Sequence, residues 1–98
     1  MEAQIVRDTK PFVHDTHFEY LQVHYKELME TDFGREVDWG YVLQKLYLHA
    51  CLKGQARVAE WFQSLFGQLG PIEQIAYRQS FPYGRHLLRQ AQARAKQR

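Results

Sequence analysis

The chain has 98 residues, 45% of them apolar and 14% aromatic, and a net charge of +2. That is one domain's length with enough large side chains for a core, and with 24% charged residues and no low-complexity stretch it is not the composition of a disordered chain. The single cysteine, Cys51, excludes an internal disulfide. No window holds the roughly 18 apolar residues of a membrane span, and the opening MEAQIVRDTKPF lacks a signal peptide's basic head and long apolar run, so no membrane partner and a cytoplasmic location are expected.

Residues 1–13 read as an irregular lead-in, pinned to the body by Ile5 and Val6, with Pro11 disfavouring helix ahead of it. Thr16 and Glu19 have the spacing of a capping box, in which each side chain takes the other's backbone amide. The helix that follows, about 16–30, puts Phe18, Leu21, Tyr25 and Leu28 on one face, and TDFG breaks it. Asp38 is the expected N-cap of a second helix, 38–53. Its apolar surface is wide, with Leu48 and Leu52 outside the main stripe, as suits a central helix touched on several sides. Gly54 stops it, since a left-handed residue at a helix end costs least as glycine.

A third helix, about 55–66, carries Val58, Phe62, Leu65 and Phe66 on one side and must fold back antiparallel on the second. Pro71 suits the first position of a fourth helix reaching about Ser80, with Ile72, Ile75 and Ala76 as its apolar residues. Pro82 is expected to break or kink the chain. A last, fifth helix from Arg85 buries only Leu87, Leu88 and Ala91 and frays beyond. No period-two alternation predicts a strand. The expectation is an all-α, compact bundle of four to five short helices around a central antiparallel helical hairpin. Its single domain covers 14–90, between the lead-in and a frayed basic end at 91–98.

Ala50, Cys51, Gly54, Val58, Ala59 and Phe62 have the spacing of the middle of an ankyrin repeat, and over roughly 14 residues the chain is similar to one. It departs where that family has its Thr-Pro-Leu-His turn, for Lys45 to Leu48 lie inside an uninterrupted helical pattern. No second copy follows at a period near 33, and a lone repeat cannot bury its faces. Two helices approaching closely beside a glycine stop account for the stretch.

Chemistry-bearing constellations are sparse. His17 and His24 share a helix face but are separated by about 10 Å of axis, too far for one metal ion, and His14 lies just ahead of them. Cys51 sits near a helix C-terminus, where the dipole disfavours a thiolate, and His49 two residues away lies on another face. No catalytic residue, metal site or cofactor is predicted, and the protein is expected not to be an enzyme.

Charge is distributed unevenly. Residues 1–49 carry five Lys/Arg against nine Asp/Glu, and residues 50–98 carry eight against two. Such halves attract within one fold or between copies placed head to tail. Arg78, Arg85, Arg89, Arg94, Lys96 and Arg98 gather in the last stretch, with no acid after Glu73. Tyr77, Phe81 and Tyr83 lie nearby. Tyr, Trp and Arg are the residues that anchor interfaces. The expected function is therefore protein–protein interaction, as an adaptor, assembly or regulatory subunit that binds another protein or itself. The surface is that of the third to fifth predicted helices, with Trp61, Arg78, Phe81, Tyr83, Arg85 and Arg89 as contact residues. The alternative is a small nucleic-acid-binding protein, with the basic residues on phosphates and the aromatics stacked on bases.

Overall fold

The computed structural model describes residues 1–96. Seven α-helices follow one another: α1 (Glu2–Thr9), α2 (Phe18–Met29), α3 (Asp32–Arg35), α4 (Trp39–Leu52), α5 (Ala56–Gly67), α6 (Pro71–Ile75) and α7 (Ser80–Lys96). Short 3-10 turns at Lys10–Phe12 and Asp15–His17 join α1 to α2, and there is no strand among the described residues. The fold is an all-α bundle, and the α4–α5 hairpin is at its centre.

α4 is the axis because its sequence is apolar on nearly every side. Val42, Leu43, Leu46, Tyr47, Ala50 and Cys51 are all buried, which requires neighbours all round. Its ends are set locally. The Asp38 carboxylate accepts the Tyr41 amide at 3.2 Å, the expected N-cap. At the other end the Gln55 amide reaches the Ala50 carbonyl at 2.9 Å and the Gly54 amide reaches that of Cys51 at 3.1 Å. This is a Schellman closure, and it needs the left-handed φ of +74° that Gly54 adopts.

α5 returns antiparallel to α4, whereas α7 runs parallel to it. Ser80 Oγ donates to Gln44 Oε1 at 2.9 Å, Phe81 packs on Tyr47 with ring centroids 4.5 Å apart, and Ala91 arrives beside Gly54. α1 also runs parallel, from the Glu2 carboxylate that accepts the Asp38 amide at 3.4 Å to Lys10 beside His49. α2 lies antiparallel to α4, with Tyr25 edge-on to Trp39 at 5.1 Å and to Trp61 at 5.8 Å.

Four expectations are corrected. Residues 2–9 are helix, because Val6 and Thr9, with Ile5 partly covered, bury one side of α1; Pro11 falls in the 3-10 turn beyond its end. The fourth predicted helix stops at Ile75, after five residues. Pro82 breaks nothing: α7 starts at Ser80, so Pro82 lies in the first turn, where amides have no intrahelical acceptor. α7 then continues past the expected boundary at residue 90, to Lys96.

The Thr16–Glu19 capping box also fails to form. Thr16 Oγ1 lies 2.8 Å from His14 Nδ1, which accepts the Thr16 amide at 3.1 Å. The neighbouring residue is engaged elsewhere. Asp15 Oδ1 accepts the Val58 amide at 3.0 Å, and the Asp15 amide donates to Gln55 Oε1 at 3.0 Å. The two-way exchange of a capping box is thus made across the fold, between the start of α5 and a turn about 40 residues earlier. α5 has no side-chain cap of its own at Gln55. Asp15→Ala is expected to lower stability by about 1–2 kcal/mol. Asp15→Asn, which keeps an acceptor oxygen, should lose much less in the same denaturant titration.

Candidate functional site

α7 carries the surface that the sequence singled out, but its start at Ser80 decides which residues reach solvent. Phe81 and Gly84 face α4. Phe81 is 5% exposed, between Tyr47 and Phe66, whose centroid is 4.4 Å away. It is a core residue and is withdrawn as a partner contact. Tyr83 is 58% exposed. Arg85 and Arg89 are exposed one turn apart on a single edge, and Tyr83 lies well round the helix from both at 100° per residue. Arg78 is exposed in the turn before α7. Trp61 is elsewhere: it packs between α2 and α5 against Phe18 at 5.7 Å and Tyr25 at 5.8 Å. The expected contact set therefore divides into an α7 surface, a turn residue and two packing aromatics. Arg98 lies outside the described residues.

The α7 surface is strongly basic. Arg78, Arg85, Arg89, Arg94 and Lys96 are all exposed, and none is in an ion pair among the described residues. Arg85 reaches toward the Tyr47 hydroxyl, which donates to the Phe81 carbonyl at 3.3 Å. Burial, followed by the hydrogen bond and charge of Cys51, pushes the Tyr47 pKa up to about 12, while Arg85 works in the opposite direction. The other aromatic expected here, Tyr77, turns inward over Gly40 and donates to Asp38 Oδ2 at 3.0 Å.

The remaining candidates take structural positions. Cys51 is fully buried and burial pushes its thiol up. Burial, then the charges of Lys10 and Lys53, pulls the His49 pKa down. His14, His17 and His24 join an aromatic ladder with Phe12 and Tyr20, in which Tyr20 stacks on His24 at 5.9 Å. No cluster of three metal-ligating side chains occurs among the described residues. An apolar cleft between α1, α2, α4 and α5, lined by Leu21, Tyr25, Trp39 and Leu46, holds about 20 Å³, room for about one water molecule and far short of a ligand. No helix among the described residues is long and apolar enough to cross a membrane.

Sequence reasoning missed two features. Ile72 and Ile75 of α6 are 84% and 68% exposed, although they were read as the apolar residues of a longer helix. Leu52, 49% exposed, forms an open groove with Lys53 and with Ala91, Arg94 and Ala95 of α7. The only advance signal was Leu52's place outside the main stripe of α4. No protein-family model, curated protein or solved structure matches the chain, so its function is read from its own residues.

Proposed function

We propose that the protein is a non-enzymatic interaction module of the cytoplasm, an adaptor, assembly or regulatory subunit whose α7 surface holds an acidic partner protein. The observation that supports this reading is the run of exposed, unpaired bases from Arg78 to Lys96, with Tyr83 exposed on another side of the same helix. Arg supplies forked donors for carboxylates, and Tyr adds contact area at low entropic cost. A wet, charged face of this kind steers association and gives it a steep salt dependence.

The test compares wild type with Tyr83→Ala/Arg85→Ala in pull-downs from the native host, followed by direct titration of whatever is captured. Loss of the captured protein, with affinity reduced at least roughly tenfold, is expected, since both residues are of the anchor type. Identical partner lists from the two proteins would end this reading.

The bases favour nucleic acid as a second reading. Its stacking component is reduced, because Phe81 is buried and Tyr77 turned inward, which leaves Tyr83. Salt-sensitive oligonucleotide binding that disappears in Arg85→Ala/Arg89→Ala/Arg94→Ala would establish it. No binding by wild type at low salt would eliminate it.

A further inference from the structure

The parallel run of α1 and α7 along α4 separates the charges to opposite ends of the molecule. At the N-terminal end of α4 lie Glu2, Glu27, Glu30, Asp32, Glu36, Asp38 and Glu73, against the bases Lys26, Arg35 and Arg78, so that acids are in excess. At its C-terminal end lie Lys10, Lys53, Arg57, Arg89, Arg94 and Lys96, against the acids Asp8, Asp15, Glu19 and Glu60, so that bases are in excess. Fourteen residues of α4, about 21 Å, stand between the two groups. That is more than twice the screening length of about 8 Å at physiological salt. The two ends do not neutralise each other inside the fold: the exposed Arg35–Asp32 pair at 3.7 Å is the one ion pair among the described residues.

Each end also presents apolar side chains with nothing on them. At the acidic end, α6 sits over the start of α4, with the Glu73 carbonyl against Gly40, and holds Ile72 and Ile75 out into solvent on one side, about 60° apart. At the basic end α7 outruns α4. Ala91 and Ala95 share a side of α7, and with Leu52 they floor a groove flanked by Lys53 and Arg94. Small alanines there leave the groove open.

We propose that this groove receives α6 of a second copy of the chain, Ile72 and Ile75 settling on Leu52, Ala91 and Ala95 while the acid-rich end that carries α6 meets the base-rich end around Lys53 and Arg94. The rigid length of α4 keeps the groove from its own α6, so the contact forms only between molecules. It is heterologous, one end on the other, and each molecule added leaves a free end; such contacts propagate unless a ring closes. This goes beyond the interaction reading above, because it uses neither Tyr83 nor the Arg85–Arg89 edge, and its failure leaves that reading standing.

Sedimentation velocity on the full chain across a concentration series tests it, with two doubly substituted variants at exposed positions. Ile72→Ser/Ile75→Ser removes the inserted side chains, and Lys53→Glu/Arg94→Glu reverses the groove's charge. Wild type at low salt is expected to sediment as a concentration-dependent series of species that returns to monomer in high salt. Each variant alone should weaken association roughly tenfold or more. Mixed in equal amounts, the variants should give a dimer and nothing larger, since one keeps the groove and the other keeps α6. A wild type that stays monomeric at low salt, variants that associate as wild type does, or a mixture that stays monomeric would each overturn the proposal.

Discussion

Gly34→Ala is expected to lower the thermal midpoint by about 15 °C, from a loss of about 3 kcal/mol in a domain of this size. Alanine is the better helix former by about 1 kcal/mol, so local propensity alone gives the opposite sign. Packing decides against it. A methyl at position 34 would overlap the Leu28 carbonyl and come within 3.2 Å of the Met29 Cα. These are backbone atoms, which cannot rotate aside as a side-chain tip does. Nor is α3 free to retreat. Thr31 Oγ1 accepts the Gly34 amide at 2.9 Å and donates to the Leu28 carbonyl at 2.6 Å. The Gly34 carbonyl accepts Nε1 of the buried Trp39 at 2.7 Å. Relieving the overlap means breaking one of these bonds or moving α2 off Trp39. Phe33→Ala is the control, since Phe33 is exposed on the same short helix; its melt, followed by circular dichroism, should stay near that of wild type. A Gly34→Ala melt equal to wild type would show that α2 and α3 separate without cost.

The parts legible in the sequence are those whose causes are local. Asp38, Gly54 and Pro71 each act on backbone within a few residues, and each does in the structure what its chemistry implies. The α4–α5 hairpin follows from them and from the apolar faces they frame. The misread parts are those decided at a distance. α1 is short and shows only Ile5, Val6 and Thr9 to the core, so its helix depends on the surface of α4 and not on its own pattern. Thr16 offered a cap, but Asp15 beside it bonds to the amide of Val58, and no local rule weighs one against the other. Phe81 stands among the expected contacts for its aromatic type and its place near the basic residues, and neither tells which way it faces. With Pro82 in the first turn, Phe81, Gly84, Leu88 and Ala91 become one inward stripe. The basic residues of α7 were plain in the sequence, yet their sorting onto edges required the helix start. The uneven charge was plain too, but its sorting to opposite ends of α4 depends on α1 and α7 running parallel to it, a matter of topology that composition does not contain.

Gly84→Ala is expected to cost about 2 kcal/mol, again against its helix propensity. A methyl at 84 would overlap Cε1 of Tyr47 and lie 3.0 Å from two further ring atoms. The ring has nowhere to go. Tyr47 is 2% exposed, its face is on Phe81, Phe66 backs Phe81, and its hydroxyl is bonded to the Phe81 carbonyl. Overpacking a fixed aromatic forces α7 away from α4, at the roughly 1–3 kcal/mol usual for a core methyl without room. Gly67→Ala separates the two terms. That position ends α5 with open space around it, so it should be neutral or stabilising by up to about 1 kcal/mol. The same displacement has a signature in pH. The folded pKa of Tyr47 is raised to about 12 from an ordinary 10.0, chiefly by burial. The stabilisation tied to its proton is therefore complete below pH 10 and lost as pH rises to about 12. Wild type should lose stability across that interval, and Tyr47→Phe should not lose this share. If Gly84→Ala pushes α7 off the ring and wets the hydroxyl, its folded pKa drops toward 10.0 and the alkaline loss becomes smaller. A Gly84→Ala protein with the wild-type midpoint and the wild-type alkaline slope would mean that Tyr47 is not the surface on which α7 is seated.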